Sequence, residues 1–371
     1  MNGLHAIVFS YEKEPELREL VQHRMPASVP FGGRYRVIDF LLSSLQNAGV
    51  TDVGVVLHGN YQSLLDHLGS GKTWDMSRKH GGLKLLPPFA DNRIYQAAPF
   101  RGWMEALAGV RSYIDESIRQ DYVILCDGDL IANLPVDEIF EAHVLSGADI
   151  TAVCAPTAEK IENANYFDID EDGAIREVYV APNQPKGCRS LEVYVMSREL
   201  LLQLVDDCAA RDKYSFSRDV LAASLGKLNM QSFLWGGYAA QLRSVKEYFD
   251  RSMELLSTEV REDLFRPGCP IQAKEDDEAS SYFAPGSMVK NSVVADGCTI
   301  EGEVENCIVF SGVTVGKGAS VKNCVLFKNV TVGENVELRC VIADKGVSIS
   351  AGRTFIGHEN YPVALSKGSA I

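Results

Sequence analysis

The chain has 371 residues, of which 46% are hydrophobic, so it is long enough to form two domains with buried cores. It carries 36 basic and 50 acidic residues, a net charge of −14, and no basic tract, which argues against nucleic acid or an anionic membrane surface as a partner. No apolar run approaches the roughly 20 residues that span a bilayer. The nine cysteines form no CxxC pair, so we expect a reduced, cytoplasmic protein.

The first predicted strand, His5 to Phe9, leads into a segment without glycine. Residues 10–20 read SYEKEPELREL and include four glutamates. A phosphate that is bound by backbone amides needs glycine so that the chain can approach closely, and it needs positive potential around it. The segment therefore predicts that no phosphate-binding loop follows this strand.

Strand-like and helix-like segments alternate over the first 257 residues. They are Val53 to Leu57, Tyr122 to Cys126 and Ile150 to Ala155 as strands, and Phe40 to Gly49, Trp103 to Arg119 and Val136 to Ser146 as helices. Such alternation predicts an α/β domain over residues 1–257, with a mostly parallel sheet covered by helices. Ligands of such sheets bind at the carboxyl ends of the strands, so Asp127 and Asp129 lie at a candidate site.

Residues 258–285 have the composition of a linker. They contain Arg-Pro-Gly at 266–268 and an acidic run from Lys274 to Glu278, and they show no clear pattern of a helix or a strand. We place the domain boundary near residue 260.

The C-terminal part, residues 286–371, is a tandem repeat. Segments of the type Glu305-Asn306-Cys307-Ile308-Val309 recur with third positions 292, 307, 324 and 340, and Val315-Gly316 returns 17 residues later as Val332-Gly333. This period predicts one coil of a hexapeptide-type parallel β-helix, in which equivalent side chains stack as packing rather than as metal ligands. The expected interior ladder consists of Ser292, Cys307, Cys324 and Cys340.

Three motifs connect the chain to a known family. They are Val29 to Phe40 (VPFGGRYRVIDF), Gly69 to Asp75 (GSGKTWD) and Gly81 to Pro88 (GGLKLLPP). With the repeats, they make the chain resemble bacterial glucose-1-phosphate adenylyltransferase (ADP-glucose pyrophosphorylase) over nearly its whole length, and especially the GlgD-type companion of the catalytic GlgC-type subunit in glycogen synthesis. The resemblance implies a Rossmann-like nucleotidyltransferase domain followed by a left-handed parallel β-helix.

The resemblance also implies where the family's nucleotide site would lie. The family loop Gly-Gly-x-Gly-x-Arg falls on residues 11–16, where all three glycines and the arginine are replaced. The family segment Gly-Thr-Ala falls on Gly102, Trp103 and Met104, so only the glycine is kept. Trp103 either plugs the nucleotide site or simply begins a buried helix.

The positions that bind the metal and the sugar phosphate in the family have also lost some of their residues. The family's two metal-binding aspartates fall on Asp129 and on a position near Gln241, in a segment, 232–245, that contains no acidic residue. The lysine that pairs with the sugar phosphate falls on Ala181. The alignment thus gives no catalytic residue and a single remnant metal ligand, Asp129. The remnant pocket consists of Gly102, Asp129, Ser190 and Phe216, and Asp219 matches as well.

These losses favour a subunit that lacks catalysis, requires no cofactor and modulates a catalytic glucose-1-phosphate adenylyltransferase subunit, as part of a hetero-tetramer. The alternative is an active enzyme that makes ADP-glucose and pyrophosphate from ATP and glucose 1-phosphate with Mg²⁺. In that case Lys13, Arg18 or Arg24 would supply the cations that the phosphates need.

Three basic residues suggest a further role. His23 and Arg24 align with residues that contact a phosphorylated activator in the family, and Arg34 lies close to them in sequence. They predict either a site for a phosphorylated sugar effector or ordinary surface side chains.

Overall fold

A computed structural model describes residues 3–11, 15–87, 100–157, 161, 163–184, 186–274 and 277–371. The N-terminal part is a mixed, mostly parallel sheet with helices, and the C-terminal part is a parallel β-helix. Both architectures agree with the sequence prediction.

Strands and helices alternate along the N-terminal part. Its strands are β1 (Leu4–Tyr11), β2 (Pro30–Phe31), β3 (Tyr35–Arg36), β4 (Val53–His58), β5 (Leu83–Leu86), β6 (Tyr122–Asp127), β7 (Leu130–Ala132), β8 (Ile150–Pro156), β9 (Tyr166–Ile169), β10 (Ile175–Tyr179), β11 (Cys188–Ser197), β12 (Met230–Leu234) and β13 (Ala239–Gln241). Its helices are α1 (Val37–Asn47), α2 (Gln62–Leu68), α3 (Trp103–Gly109), α4 (Val136–Ser146), α5 (Arg198–Ala210), α6 (Val245–Glu254) and α7 (Thr258–Leu264). The helix predicted over 103–119 is shorter than expected, because α3 ends at Gly109 and a π-helical turn follows at Tyr113–Ser117. Within the described parts of the chain, no helix has the length and apolarity that crossing a membrane requires.

The central sheet has the order β10-β9-β11-β6-β1-β4-β5, and β8 pairs with β11 and β12. Strands β1, β4, β5 and β6 run parallel, whereas β11 runs antiparallel to β6 and β8. Since parallel strands end at the same edge of a sheet, the ends of β1 and β6 meet, with Phe9 paired to Asp127. A large apolar cluster fills the space between the sheet and its helices.

The β-helix consists of three five-stranded parallel sheets. Its strands are β14 (Tyr282–Phe283), β15 (Met288–Lys290), β16 (Val293–Val294), β17 (Thr299–Ile300), β18 (Glu303–Glu305), β19 (Ile308–Val309), β20 (Thr314–Val315), β21 (Ser320–Lys322), β22 (Val325–Leu326), β23 (Thr331–Val332), β24 (Glu337–Arg339), β25 (Val341–Ala343), β26 (Ser348–Ile349), β27 (Thr354–Ile356) and β28 (Val363–Leu365). Each strand pairs with the equivalent strand one coil later, and Val315 pairs with Val332 as the repeat predicts.

The predicted stacking is correct for three of the four members, of which Cys307 and Cys324 are interior and Ser292, on the first coil, is half-buried. The amide of Cys307 donates to the Oγ of Ser292 at 3.0 Å, and the amide of Cys324 lies 3.4 Å from the Sγ of Cys307. Cys340 is wrong by one position, because Val325 pairs with Ile342, so Val341 follows Cys324. Cys340 instead continues a row of corner residues with positive φ, together with Asn291, Asn306 and Asn323. Asparagine tolerates this conformation better than most residues, so the corner row could have been recognised from its side chains.

The segment interpreted as a linker contains regular structure. Helix α7 begins at Thr258, and β14 pairs in parallel with β17 as part of the first coil. The β-helix therefore begins at Tyr282, before the predicted position 286.

A separate apolar cluster connects the two parts of the chain. The ring of Tyr248, on α6, meets the ring of Phe327, on the β-helix, edge to face at a centroid distance of 5.9 Å. Phe310 packs against Phe327 at 5.2 Å, and all three side chains are buried. The sheet and the β-helix therefore share a hydrophobic core.

Candidate functional site

Two carboxylates lie at the carboxyl edge of the central sheet, as predicted. Asp127 ends β6, and Asp129 lies in the turn between β6 and β7; both are buried. The amide of Gly128 donates to the carbonyl of Phe9 at 2.8 Å, and a Cβ at position 128 would lie 2.8 Å from that oxygen. Glycine is therefore needed at this turn, where the chain crosses close to the end of β1.

The residue predicted to replace the second metal ligand lies beside Asp129. Strand β13 pairs with β7 so that Gln241 is opposite Leu130, the neighbour of Asp129. The side-chain oxygen of Gln241 accepts a hydrogen bond from the Nη2 of Arg243 at 3.0 Å. Mg²⁺ prefers carboxylate and water oxygens, and a guanidinium at this position opposes a second cation. The residues present therefore do not fit a magnesium site.

Trp103 takes part in the hydrophobic core where the family would bind a nucleotide. It is 5% exposed, its indole stacks on Phe9 with ring centroids 4.0 Å apart, and it lies 5.8 Å from Tyr194 and 5.9 Å from Phe216. The sequence left open whether Trp103 begins a buried helix or fills a pocket. Trp103 is the first residue of the buried start of α3, and its indole also lies against Phe216, which belongs to the predicted remnant pocket.

Gly102, the retained glycine of the same segment, has a structural reason to be glycine. A Cβ at this position would lie 2.3 Å from the carbonyl oxygen of Tyr214. The amide of Met104 donates to that same oxygen at 3.1 Å. Gly102 thus lets the start of α3 pack against the segment that leads to Phe216.

Ser190, on the sugar side of the remnant pocket, is fully buried in a polar network. Its Oγ lies 3.0 Å from the hydroxyl of Tyr194, and that hydroxyl donates to Glu192 at 3.2 Å. Burial raises the pKa of Tyr194 well above its usual range, so the hydroxyl stays protonated and able to donate. Asn165 donates its Nδ2 to the other carboxylate oxygen of Glu192 at 2.9 Å.

Asn165 and Glu192 were not singled out from the sequence. Glu192 has a φ of 55°, a left-handed conformation that is unusual for glutamate, at an irregularity in the pairing of β11 with β8. The carboxylate of Glu192 therefore adds negative charge beside Ser190, where a sugar phosphate would need positive charge.

Two other side chains of this region, those of Asp219 and Lys186, interact with groups outside the remnant pocket. The carboxylate of Asp219 accepts hydrogen bonds from the amides of Tyr214 at 3.1 Å and Ser215 at 2.9 Å, so it caps a turn. Lys186, which could have replaced the missing phosphate-pairing lysine, is exposed and lies over the ring of Tyr179 at 4.7 Å.

Arg18 and Arg24, two of the three cations that would bind the phosphates if the chain were an active enzyme, do not form such a site in the described structure. Lys13, with the neighbouring Glu12 and Glu14, lies outside the described residues. Arg18 is exposed and has a φ of 43°. Arg24 is buried in an ion pair with Asp344 of the β-helix, with Nη2 and Oδ1 2.7 Å apart.

The three predicted effector residues, His23, Arg24 and Arg34, line one cavity of about 440 Å³ between the sheet domain and the β-helix. The same cavity is lined by further cationic side chains that the sequence analysis missed: Arg36, Lys274, Lys328, Lys345 and Lys367. Among the described residues, the lining of this cavity contains one carboxylate, Asp66, and seven arginines and lysines. We call this cavity the interdomain pocket.

Hydrogen bonds hold the sheet-domain wall of the interdomain pocket in place. The Nη1 of Arg36 donates to the Oγ of Ser28 at 3.0 Å and to the carbonyl of Ser63 at 2.7 Å. The Nζ of Lys274 donates to the carbonyl of Asp66 at 3.0 Å. Arg36 belongs to the motif that was recognised in the sequence, but the lysines of the β-helix had no such signal.

Both parts of the chain match known families. Residues 15–235 match the family described as Nucleotidyl transferase, and residues 279–361 match the family described as GlmU-like, C-terminal hexapeptide. The first match covers most of the sheet domain and the second covers most of the β-helix.

Individual relatives extend over nearly the whole chain. It is 34% identical to the glycogen biosynthesis protein GlgD of Bacillus subtilis (strain 168), covering 99% of this chain and 96% of the relative. It is 32% identical to the glucose-1-phosphate adenylyltransferase of Geobacillus stearothermophilus, covering 82% of this chain and 79% of the relative. Both the family matches and these identities agree with the motifs, and the chain belongs to the family of nucleotidyl transferases that includes glucose-1-phosphate adenylyltransferase and GlgD.

Proposed function

We propose that this chain is a non-catalytic, regulatory subunit that assembles with a catalytic glucose-1-phosphate adenylyltransferase subunit and modulates it in glycogen biosynthesis. The packing of Trp103 against Phe9 and Phe216 carries the proposal, since it uses the remnant nucleotide pocket as hydrophobic core. We also propose a cytoplasmic location and no cofactor, and the free state of all nine cysteines supports a reducing compartment.

The expected loss of rate is large. Phosphoryl transfer depends on positioning and on charge stabilisation, and each missing preorganised charge-stabilising group typically costs about 3 to 4 kcal/mol in the transition state. Here Gln241 replaces a metal ligand and Ala181 replaces a phosphate-pairing lysine by the family alignment, and residues 11–16 lack the glycines of the phosphate loop. Even with strong non-additivity, we expect several orders of magnitude less activity than in a catalytic relative.

The alternative, an active enzyme with a rebuilt phosphate site, receives no support from the described cations. The guanidinium of Arg24 is committed to Asp344, and a carboxylate, Glu192, is added to the sugar side of the pocket. These observations favour the regulatory subunit.

The test is pyrophosphate release from ATP, Mg²⁺ and glucose 1-phosphate by the purified chain, alone and mixed with a catalytic subunit of the same cell. We expect no turnover by the chain alone and a changed rate or substrate affinity in the mixture. Robust turnover by the chain alone would overturn the proposal, as would a mixture that behaves as the sum of its separated parts.

We further propose that the interdomain pocket binds a phosphorylated sugar effector. Phosphates are recognised by converging arginines and lysines, and this pocket gathers seven of them on a chain with a net charge of −14. Two of the seven have carboxylate partners, Arg24 with Asp344 and Lys328 with Glu278. A doubly phosphorylated sugar such as fructose 1,6-bisphosphate is a suitable probe.

This second proposal is tested with two lysines of the β-helix wall. We expect Lys345→Gln combined with Lys367→Gln to weaken binding of the bisphosphate at least tenfold in a calorimetric titration. Lys317→Gln, a change of an exposed β-helix lysine outside the pocket, serves as the matched control and should bind as the wild type does. Equal affinity in all three proteins would remove the interdomain pocket from consideration.

Exposed apolar side chains on the first coil of the β-helix support assembly with another subunit. Phe283 on β14 is 47% exposed and Met288 on β15 is 48% exposed, and Tyr282 and Val289 are exposed beside them. Within the part of the chain that the structure describes, strands β14 and β15 pair on one side only, so this end of the solenoid offers both apolar surface and unpaired backbone. We propose this end as one contact surface of the hetero-oligomer, and Phe283→Ser with Met288→Ser should lower the assembled mass in light scattering.

A further inference from the structure

A second polar cavity, of about 600 Å³, lies at the opposite edge of the central sheet from Asp129. It is lined by residues at the amino ends of three parallel strands, His5 of β1, Asp52 just before β4 and Lys84 of β5, and by the turn that follows α3. We call it the amino-edge cavity. Because parallel strands place their two ends at opposite edges of a sheet, it is separate from both sites described above.

Three cationic side chains line the amino-edge cavity: Lys79, Lys84 and Arg119. Five surface arginines elsewhere have carboxylate partners: Arg78 with Asp75, Arg101 with Asp212, Arg111 with Asp206, Arg176 with Asp170 and Arg211 with Asp207. Among the described residues, the side chains of Lys79 and Arg119 have no such partner, and Lys84 lies over the ring of Tyr113 at 5.4 Å. In a protein with 50 acidic and 36 basic residues, unpaired cations that converge on one cavity are a feature to explain.

Two carboxylates, Asp52 and Glu116, also line the cavity, so three cations face two anions there and a small positive excess remains. Asp52 accepts a hydrogen bond from the amide of Gly82 at 2.7 Å with one oxygen and from the Nε2 of Gln120 at 2.6 Å with the other. Both of its oxygens thus have neutral partners that fix the wall of the cavity. Glu116 forms no ion pair within the described part of the chain.

His5 is a buried residue in the wall of the same cavity. It is 3% exposed, and one ring nitrogen, Nε2, lies 3.2 Å from the hydroxyl of Tyr113. The other, Nδ1, is buried without a hydrogen-bond partner among the described residues. This nitrogen has almost no accessible surface, so His5 belongs to the wall of the cavity and the cationic side chains form its binding face.

We propose that the amino-edge cavity binds a small phosphorylated metabolite. Lys79, Lys84 and Arg119 supply the positive charge for the phosphate, and the hydroxyl and amide groups of Ser117 and Gln120 suit the hydroxyl groups of an organic moiety. The volume is that of a small-molecule site. Such a site gives the protein a second small-molecule input that does not use the interdomain pocket.

Lysine footprinting by mass spectrometry can test the proposal residue by residue, with inorganic phosphate as the probe. The protein is the full chain with Lys345→Gln and Lys367→Gln, so that the interdomain pocket does not contribute. We expect 20 mM phosphate to reduce acetylation of Lys79 and Lys84 at least threefold, compared with chloride at the same ionic strength, while acetylation of Lys317 is unchanged. The additional change Arg119→Gln should abolish this protection.

Three results would overturn the proposal. The first is absence of protection, and the second is equal protection of Lys317, which would indicate a general effect of salt. The third is protection of Lys79 and Lys84 by the catalytic subunit without phosphate, which would assign the cavity to a subunit interface. The first two results do not depend on whether the chain is a regulatory subunit, since their readout is binding to the isolated chain.

Discussion

The indole of Trp103 lies nearly flat on the ring of Phe9, with centroids 4.0 Å apart and the two planes at 17°. This contact joins the first residue of α3 to the end of β1. Both side chains belong to the main apolar cluster of the sheet domain, so the position that the sequence alignment assigns to a nucleotide site contributes to the hydrophobic core.

Trp103→Ala should therefore lower stability without creating activity. Removal of a large buried aromatic side chain typically costs about 3 to 5 kcal/mol in the free energy of unfolding. Urea unfolding measures the loss, and Trp103→Phe, which keeps a ring against Phe9, should lose much less. A stable Trp103→Ala variant whose melting temperature rises with ATP would mean that Trp103 is a removable plug instead.

Magnesium binding should require two changes beside Asp129. Gln241→Asp alone places a carboxylate next to Arg243, which neutralises it, so we expect no response to Mg²⁺. With Arg243→Gly added, two carboxylates are available, and a dissociation constant of about 1 mM would give about 1.4 kcal/mol of stabilisation at 10 mM Mg²⁺. Thermal unfolding with and without MgCl₂ distinguishes the two variants, and a response of the single variant would contradict this account of Arg243.

The ion pair between Arg24 and Asp344 should matter for both stability and anion binding. Both side chains are buried, so Asp344→Asn leaves the charge of Arg24 without compensation, which typically costs about 3 to 5 kcal/mol. The same change frees a cation in the interdomain pocket, so we expect tighter binding of a sugar bisphosphate. The double variant Arg24→Met, Asp344→Leu should recover most of the stability but not the binding. Unchanged stability of Asp344→Asn would show that the pair contributes little.

His5 should make stability depend on pH in the acidic range. Burial lowers the pKa of His5 to about 4, while Asp52 raises it and Lys84 lowers it to smaller extents. The unfolded chain binds the proton below about pH 6.5 and the folded chain does not until about pH 4, so the free energy of unfolding falls as the pH drops through this window. The contribution is on the order of 3 kcal/mol. Urea unfolding from pH 7 to 4 should show a shallower decline for His5→Gln, and parallel curves would argue against it.

The sequence was sufficient for the two architectures because both have strict periods. The alternation of strands with helices and the 17-residue coil each repeat several times, so an error in one segment does not change the result. Boundaries were less certain: Tyr282 and Thr258 begin regular structure inside the predicted linker, where short elements leave little pattern. Cys340 was placed one position too early because the repeated cysteine was followed instead of the period, whereas the strand pairing advances by 17 residues both from Ile308 to Val325 and from Val325 to Ile342.

Some parts of the candidate sites could also be predicted from the sequence, and others could not. Asp129 and Gln241 could be placed side by side from the alignment, and the pairing of β7 with β13 agrees with that placement. The lysines of the interdomain pocket could not be predicted to lie near Arg24. Lys345 and Lys367 are more than 300 residues from Arg24 in sequence and approach it only because the β-helix packs against the sheet domain. The network around Glu192 was missed because it depends on a local irregularity of β11 that no sequence period reveals.

The shared core of Tyr248, Phe310 and Phe327 limits how an effector could act. Binding proteins often transmit a signal by a hinge between two domains that move as separate bodies. Here a hinge would have to separate buried aromatic rings, at the cost of exposing them to water. A ligand in the interdomain pocket would therefore leave the angle between the sheet domain and the β-helix unchanged. Its effect on activity would have to be transmitted through the surfaces that contact a neighbouring subunit.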